Sequence, residues 1–339
     1  MRKPNRQTLF LGTVTVASTL VITYLTLFYN NGNADAPNPV TPTATKKTNP
    51  ISPRRAYQWL EKICELGPRP SGSAAMASQQ QMLTEHFKKL GGTTFLQTFD
   101  HPHPQKKDTI VPLANLVVHW HPDRTERILL CAHYDTRPFP VRDPKRPKGI
   151  FVGANDGASG TAVLAELAHF MSEIPPPYGV DFVLFDAEEF VFQERRDPFF
   201  LGSEYFSKQY LRNPPTHRYR CAVLLDMVGD RELQIYPEQN SLKSIATRQL
   251  VRDIWSTAQQ LGVKEFIDRR GHEIQDDHIK LMEIARIPAC DIIDFDYPRP
   301  GRKFSKLYWH TEADTPDKCS GESLAKVGWV VLEWLRRLR

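Results

Sequence analysis

The chain has 339 residues, of which 40% are hydrophobic, 24% charged and 10% aromatic, with a mean hydropathy of -0.44. That composition excludes collagen-like, disordered and multi-span membrane proteins and leaves a globular body long enough to bury a core of its own. The net charge is +5, but Arg2, Lys3, Arg6, Lys46 and Lys47 against Asp35 put most of the excess into residues 1–52; no basic stripe interleaved with aromatics follows, which argues against a nucleic-acid partner.

In chain order, Thr8 to Tyr29 is a run of 22 uncharged residues, which at about 1.5 Å per residue matches the thickness of a bilayer's hydrocarbon core. The segment reads as an uncleaved transmembrane anchor, because Pro37 follows the small residues Ala34-Asp35-Ala36 where a signal peptide would be cut. Arg2, Lys3 and Arg6 precede the span, so the positive-inside rule keeps residues 1–7 in the cytoplasm and sends the body to the periplasm or an equivalent lumen. Residues 30–52, rich in Pro, Asn and Thr, read as an extended linker.

The body begins near Pro53, with Tyr57, Leu60, Ile63, Cys64 and Leu66 at helical spacing before Gly67-Pro68 stops the pattern. A second helix over about Ser73 to Leu90 ends at Gly91-Gly92. Strand-like runs then appear at Ala114–His119, Arg127–Ala132, Val180–Phe185, Cys221–Met227 and Ile287–Phe295. Several are apolar on both faces, as strands buried in a mostly parallel sheet are. Helical stretches at Thr161–Met171, Gly202–Leu211, Leu242–Leu261 and Asp277–Ile284 alternate with them, and Leu324–Leu338 closes the chain. This alternation predicts one doubly wound, three-layer α/β/α domain with a mostly parallel central sheet over residues 53–339. Cys64, Cys131, Cys221, Cys290 and Cys319 lack Cys-x-x-Cys spacing and read as buried apolar residues, with one or two disulfides open to them in oxidising surroundings.

Polar residues gather at the C-terminal ends of the predicted strands, where open α/β sheets place their sites. Five segments contribute: Ala132-His133-Tyr134-Asp135, in which Asp135 stands two residues on and is placed to orient the His133 ring; Gly153-Ala154-Asn155-Asp156-Gly157-Ala158-Ser159-Gly160; Phe185-Asp186-Ala187-Glu188-Glu189; Leu224-Leu225-Asp226-Met227; and Trp309-His310-Thr311. Singly, each has an ordinary structural reading: a hydrogen-bonded His, an Asp N-cap, a solvated acidic loop. Together they supply the imidazole and carboxylate donors of a divalent metal such as zinc, and in Glu188-Glu189 one carboxylate to hold the metal while its neighbour moves protons. His101-Pro102-His103 and His119-Trp120-His121 are placed on a loop and a strand end, without a third ligand.

The five motifs in this order resemble zinc peptidase family M28 from about residue 54 to the C-terminus, and within it most of all the glutaminyl-peptide cyclotransferase branch. The resemblance implies Asp156, Glu189 and His310 as zinc ligands and Glu188 as the acid/base. In two-metal aminopeptidases of the family, Asp156 bridges and His133 and Asp226 hold a second zinc. Gln275-Asp276-Asp277-His278, the Trp309-His310 pair, the 13-residue spacing from Glu189 to Gly202 and Leu201-Gly202-Ser203 resemble the cyclotransferase branch. It implies Asp226 and Asp276 as a proton-sharing pair, and Trp309 and Gln275 as substrate-binding residues. Animal members carry an aromatic where this chain has Glu194 and a His near Asp291, whereas Cys290-Asp291-Ile292-Ile293 looks like the bacterial members.

The expectation is therefore a membrane-anchored enzyme acting on peptide or protein N-termini: a cyclotransferase with one zinc, converting N-terminal Gln to pyroglutamate and ammonia, or an aminopeptidase with two. A binding ectodomain that kept the fold and lost the chemistry is disfavoured, because every candidate ligand and the base are present.

Overall fold

A computed structural model describes residues 47–295 and 308–339. The anchor expected at residues 8–29, the cytoplasmic segment 1–7 and most of the linker lie outside the described residues, among which no helix is long and apolar enough to cross a membrane. Residues 47–52, the end of the segment read as linker, are packed onto the body: the Lys47 ammonium pairs with Glu333, the Asn49 side chain donates to the Ala325 carbonyl, and Ile51 is buried.

Helix α1 (Pro53–Glu65) starts where the Ser52 hydroxyl accepts the Arg55 N–H and Pro53 fills the first turn. Helix α2 (Ala74–Lys89) is capped in the same way by Ser73. Two strands follow, β1 (Thr93–Pro102) and β2 (Ile110–Trp120), paired antiparallel from Thr93 opposite His119 to Pro102 opposite Ile110. Strand β1 does not stand out in the sequence, because no residue on it is buried and an edge strand needs no apolar face. His101 and Pro102 belong to this strand and not to a loop.

The remaining strands are β3 (Glu126–His133), β4 (Gly179–Phe185), β5 (Arg218–Asp226) and β6 (Ala289–Ile293). They complete a six-stranded sheet in the order β1-β2-β4-β3-β5-β6. The pairs β4/β3, β3/β5 and β5/β6 are parallel, whereas β2 runs antiparallel to both β1 and β4. The parallel reading therefore holds for one side of a mixed sheet. Helices α3 (Ala158–Met171), α4 (Leu201–Arg212), α5 (Ile245–Leu261), α6 (Asp277–Glu283) and α7 (Gly321–Arg337) complete the set.

Alternate strand residues feed two cores. Leu130, Phe182 and Val223 point into one with α1, α2, α3, α5 and α7, while Leu129, Val183 and Leu224 point into the other with α4 and α6. All five cysteines are buried free thiols.

Candidate active site

Strands β3, β4 and β5 are apolar and buried along their central lengths, and the polar residues that follow emerge together at the C-terminal end of the sheet. β3 ends on His133, β4 runs into Asp186-Ala187-Glu188-Glu189, and β5 ends on Asp226. Asp156 precedes α3, which approaches closely because two glycines admit it. A Cβ on Gly157 would stand 2.6 Å from the His133 ring, and one on Gly160 would stand 2.1 Å from the Leu225 carbonyl oxygen. His310 comes from the loop before α7. Ala187, Phe200, Met227 and His310 all hold the left-handed backbone conformation that non-glycine residues avoid (φ 56°, 63°, 46° and 56°), so the strain is concentrated at this end of the sheet.

The side chains converge in three overlapping groups, the third being His133, Glu188 and Glu189. In the first, His310 Nε2 lies 2.7 Å from Glu189 Oε1 and 3.2 Å from Asp156 Oδ2. In the second, His133 Nε2 lies 3.2 Å from both Asp156 Oδ1 and Asp226 Oδ1. Within each group the donor atoms lie inside 4.8 Å of one another. His310 Nε2, Asp156 Oδ2, Glu189 Oε2 and His133 Nδ1 are buried without a hydrogen-bond partner of good geometry. Nitrogen and oxygen donors left unsatisfied this deep fit a divalent cation of the zinc type. Among the described residues no such group includes His101, His103, His119 or His121.

Asp135 does more than face the His133 ring, whose Nδ1 is 3.6 Å away. Its two oxygens accept the N–H groups of Glu188 and Glu189, each at 3.1 Å, and so fix the turn that presents both glutamates. Asp276 is the N-cap of α6, as its ordinary reading has it, accepting the Asp277 N–H at 2.6 Å; the same position brings it to the pocket shared by Glu188 and Asp226.

Burial, and then the neighbouring Glu189, push the Glu188 carboxyl well above the usual carboxylate range. Burial, and then Asp226, do the same to Asp276, and burial also raises Asp226. Asp156 moves the other way: burial would raise it, but the adjacent imidazoles of His133 and His310, each 3.2 Å from one of its oxygens, hold it well below its ordinary value. The pocket above these groups has a volume of about 390 Å³. Trp309, Gln275 and Phe295 line it, with Arg142 stacked 3.9 Å over the Trp309 ring.

Arg137, Phe199 and Phe200 are among the lining residues that escaped the sequence analysis. Arg137 is a buried guanidinium whose Nη1 lies 3.6 Å from Glu189 Oε1 and 3.4 Å from His310 Nδ1, with Nη2 3.4 Å from the exposed Glu194. Its place two residues after Asp135 was the available signal. The Phe199-Phe200 dipeptide before α4 has none, since its position depends on the left-handed turn at Phe200.

An α/β sheet with a buried His, Asp and Glu cluster at its C-terminal strand ends defines a metal-dependent enzyme. Residues 115–335 match Peptidase family M28, and the chain belongs to that family. A glutaminyl cyclase from Fimbriiglobus ruber is 38% identical in its crystal structure, with a TM-score of 0.79 over 86% of this chain and 97% of that one. A Zn-dependent exopeptidase from Parabacteroides distasonis is 31% identical, with a TM-score of 0.76 over 86% of this chain and 100% of its own. The glutaminyl-peptide cyclotransferase of Bothrops jararaca is 25% identical over 254 residues; the match spans 66% of this chain and 66% of the length of that relative.

Proposed function

We propose that the chain is a zinc-dependent glutaminyl-peptide cyclotransferase. The observation that carries this reading is the placement of Asp276 in one pocket with Glu188 and Asp226, three carboxyl groups that burial pushes above their ordinary range and of which Asp276 lies outside all three donor groups. The likeness to the glutaminyl cyclase of Fimbriiglobus ruber supports it.

Asp156, Glu189 and His310 are the residues that would hold the zinc, which when bound acts as a Lewis acid on the side-chain carbonyl of an N-terminal glutamine. The pocket folds the substrate so that its α-amine meets its own side-chain carbon, and that intramolecular geometry accounts for much of the rate. The new N–C bond forms as Glu188 takes a proton from the α-amine. The C–N bond to the side-chain nitrogen breaks as Glu188 returns the proton to it, so that ammonia leaves and no water is consumed. Asp226 and Asp276 line the same pocket, where the charge of one favours a proton on the other, and together hold the leaving nitrogen. Trp309 and Gln275 flank the substrate.

The second reading is a zinc aminopeptidase, favoured by one observation: His133, Asp156 and Asp226 form a complete second donor group beside the first. Mass spectrometry of a peptide with N-terminal glutamine, incubated with the zinc-loaded full chain, separates the two. Cyclisation removes the mass of ammonia and leaves the chain intact; hydrolysis releases the first residue and overturns the first reading. We also propose, from the uncharged run 8–29 and the basic residues before it, a single-pass anchor with the body on the periplasmic or lumenal side. Protease protection in intact cells tests that topology.

A further inference from the structure

Asp314 takes no part in the chemistry above, yet its side chain is fully buried and both of its carboxylate oxygens are engaged. Oδ1 accepts the N–H of Asn155 at 2.8 Å and Oδ2 accepts that of Asp156 at 3.1 Å. The Asp314 backbone carbonyl accepts the N–H of Ala154 at 3.3 Å. One residue thus gathers three successive amides of the segment that presents Asp156. Among the described residues it makes no ion pair, so its hydrogen bonding goes to this segment.

Those amides need an outside acceptor. They lie in the turn that precedes α3, outside its own hydrogen bonds, and the N-cap Gly157 has no side chain to offer, since a Cβ there would meet the His133 ring. A carboxylate that bonds two adjacent amides fixes the orientation of the intervening peptide as well as its position.

The gripping residue belongs to the loop that carries His310, four residues earlier in the chain. That loop is itself tied down. The Arg142 N–H donates to the His310 carbonyl at 3.0 Å, the Asp314 N–H donates to the Thr311 carbonyl at 3.2 Å, and the Thr311 hydroxyl donates to the Tyr308 carbonyl at 2.7 Å. Asp135 holds the Glu188-Glu189 turn with the same two-oxygen grip. Asp314 differs in joining two donor-bearing segments to each other.

We propose that Asp314 is a positioning residue for the metal centre: by clamping the amides of residues 154–156 to the His310 loop, it sets the separation of Asp156 and His310 before a cation arrives. The inference rests on the metal assignment and is independent of whether the site cyclises or hydrolyses.

Asp314→Asn keeps the size of the side chain, but a carboxamide accepts from one of the two N–H groups and turns a donor on the other. The zinc dissociation constant of the full-length chain, measured by competition with a chromophoric chelator, is expected to rise about 10- to 100-fold in Asp314→Asn and in Asp314→Ala. Asp314→Glu, which keeps two acceptor oxygens, is expected to recover part of that loss. Thermal unfolding of each metal-free variant shows whether it folds, and the Asn variant carries the test if the Ala variant does not. A purely structural role would lower the metal-free melting temperature and leave the zinc constant alone. A zinc constant within twofold of the parent in Asp314→Asn overturns the proposal. Absence of zinc binding by the parent chain overturns it together with the metal assignment.

Discussion

The two ends of the central strands both bury charge, and they treat it in opposite ways. At the N-terminal end Asp181 of β4 is saturated: its oxygens accept from Arg127 Nε at 3.0 Å, from the Tyr219 hydroxyl at 2.6 Å and from the guanidinium Nη2 of the same arginine, with His119 Nδ1 at 2.7 Å. Burial alone would raise the Asp181 carboxyl, but the bonds from His119 and Arg127 hold it below its ordinary value. At the C-terminal end no arginine pairs with Glu188, Asp226 or Asp276 among the described residues, and burial drives all three up in spite of the His133 imidazole beside Asp226. A saturated charge is fixed in one protonation state and serves the fold, whereas an unsaturated one is free to exchange a proton or take a metal.

The largest effect that separates the ends is on turnover. Glu188→Gln is expected to lower kcat about 10²- to 10⁴-fold while zinc, by metal analysis, stays bound; unchanged turnover removes Glu188 from the mechanism. Arg127→Met is expected to leave the folded enzyme's kcat near normal but to cost about 3–5 kcal/mol of stability in urea unfolding, since it strands the buried Asp181 charge. The same site gives a pH signature. A carboxyl whose folded value is depressed contributes stability that is complete above its unfolded value of about 3.9 and is lost as pH falls through the folded value. The stability difference between the parent and Asp181→Asn should therefore be constant from pH 7 to pH 5 and shrink only below about pH 4. A difference that grows on acidification contradicts the depressed carboxyl.

Asp276→Asn tests the opposite case. Removing a carboxyl that burial disfavours should leave stability at pH 7 equal or higher, while activity falls about 10- to 100-fold if the side chain holds the leaving nitrogen. The smallest effect expected is at the rim. Arg142→Ala removes the stack on Trp309, worth about 0.5–1 kcal/mol, and should raise KM about two- to fivefold with little change in kcat.

Of the candidate donors, His133, Asp156 and Asp226 were legible because each sits on a buried strand end or in a glycine turn, where apolar runs and glycines leave a local pattern. Glu189, by contrast, lies four residues past β4, and His310 lies in the loop before α7. The architecture was legible for the same reason wherever strands are buried on both faces, as β3 and β4 are. Strand β1 was not, since its residues are half-buried or exposed and it is held by pairing with β2. The clamps at Asp135 and Asp314 escaped for a different reason. They act on backbone amides, which every residue except proline carries, so nothing in the partner's side chain marks them. Asp276 shows the limit most clearly: an N-cap and a pocket acid look alike in one dimension, and only the packing of α6 beside β5 makes it both.

The five free cysteines are distributed over α1, β3, β5, β6 and the segment entering α7, and burial raises every one of their thiols, Cys64 and Cys221 to about 12. A thiol in that state is inert to alkylation until the structure around it opens. Each cysteine is thus a clock already built into the chain. Its labelling rate under native conditions reports the opening free energy of its own element, so that the strand carrying His133 and the approach to α7 can be timed separately without introducing any probe.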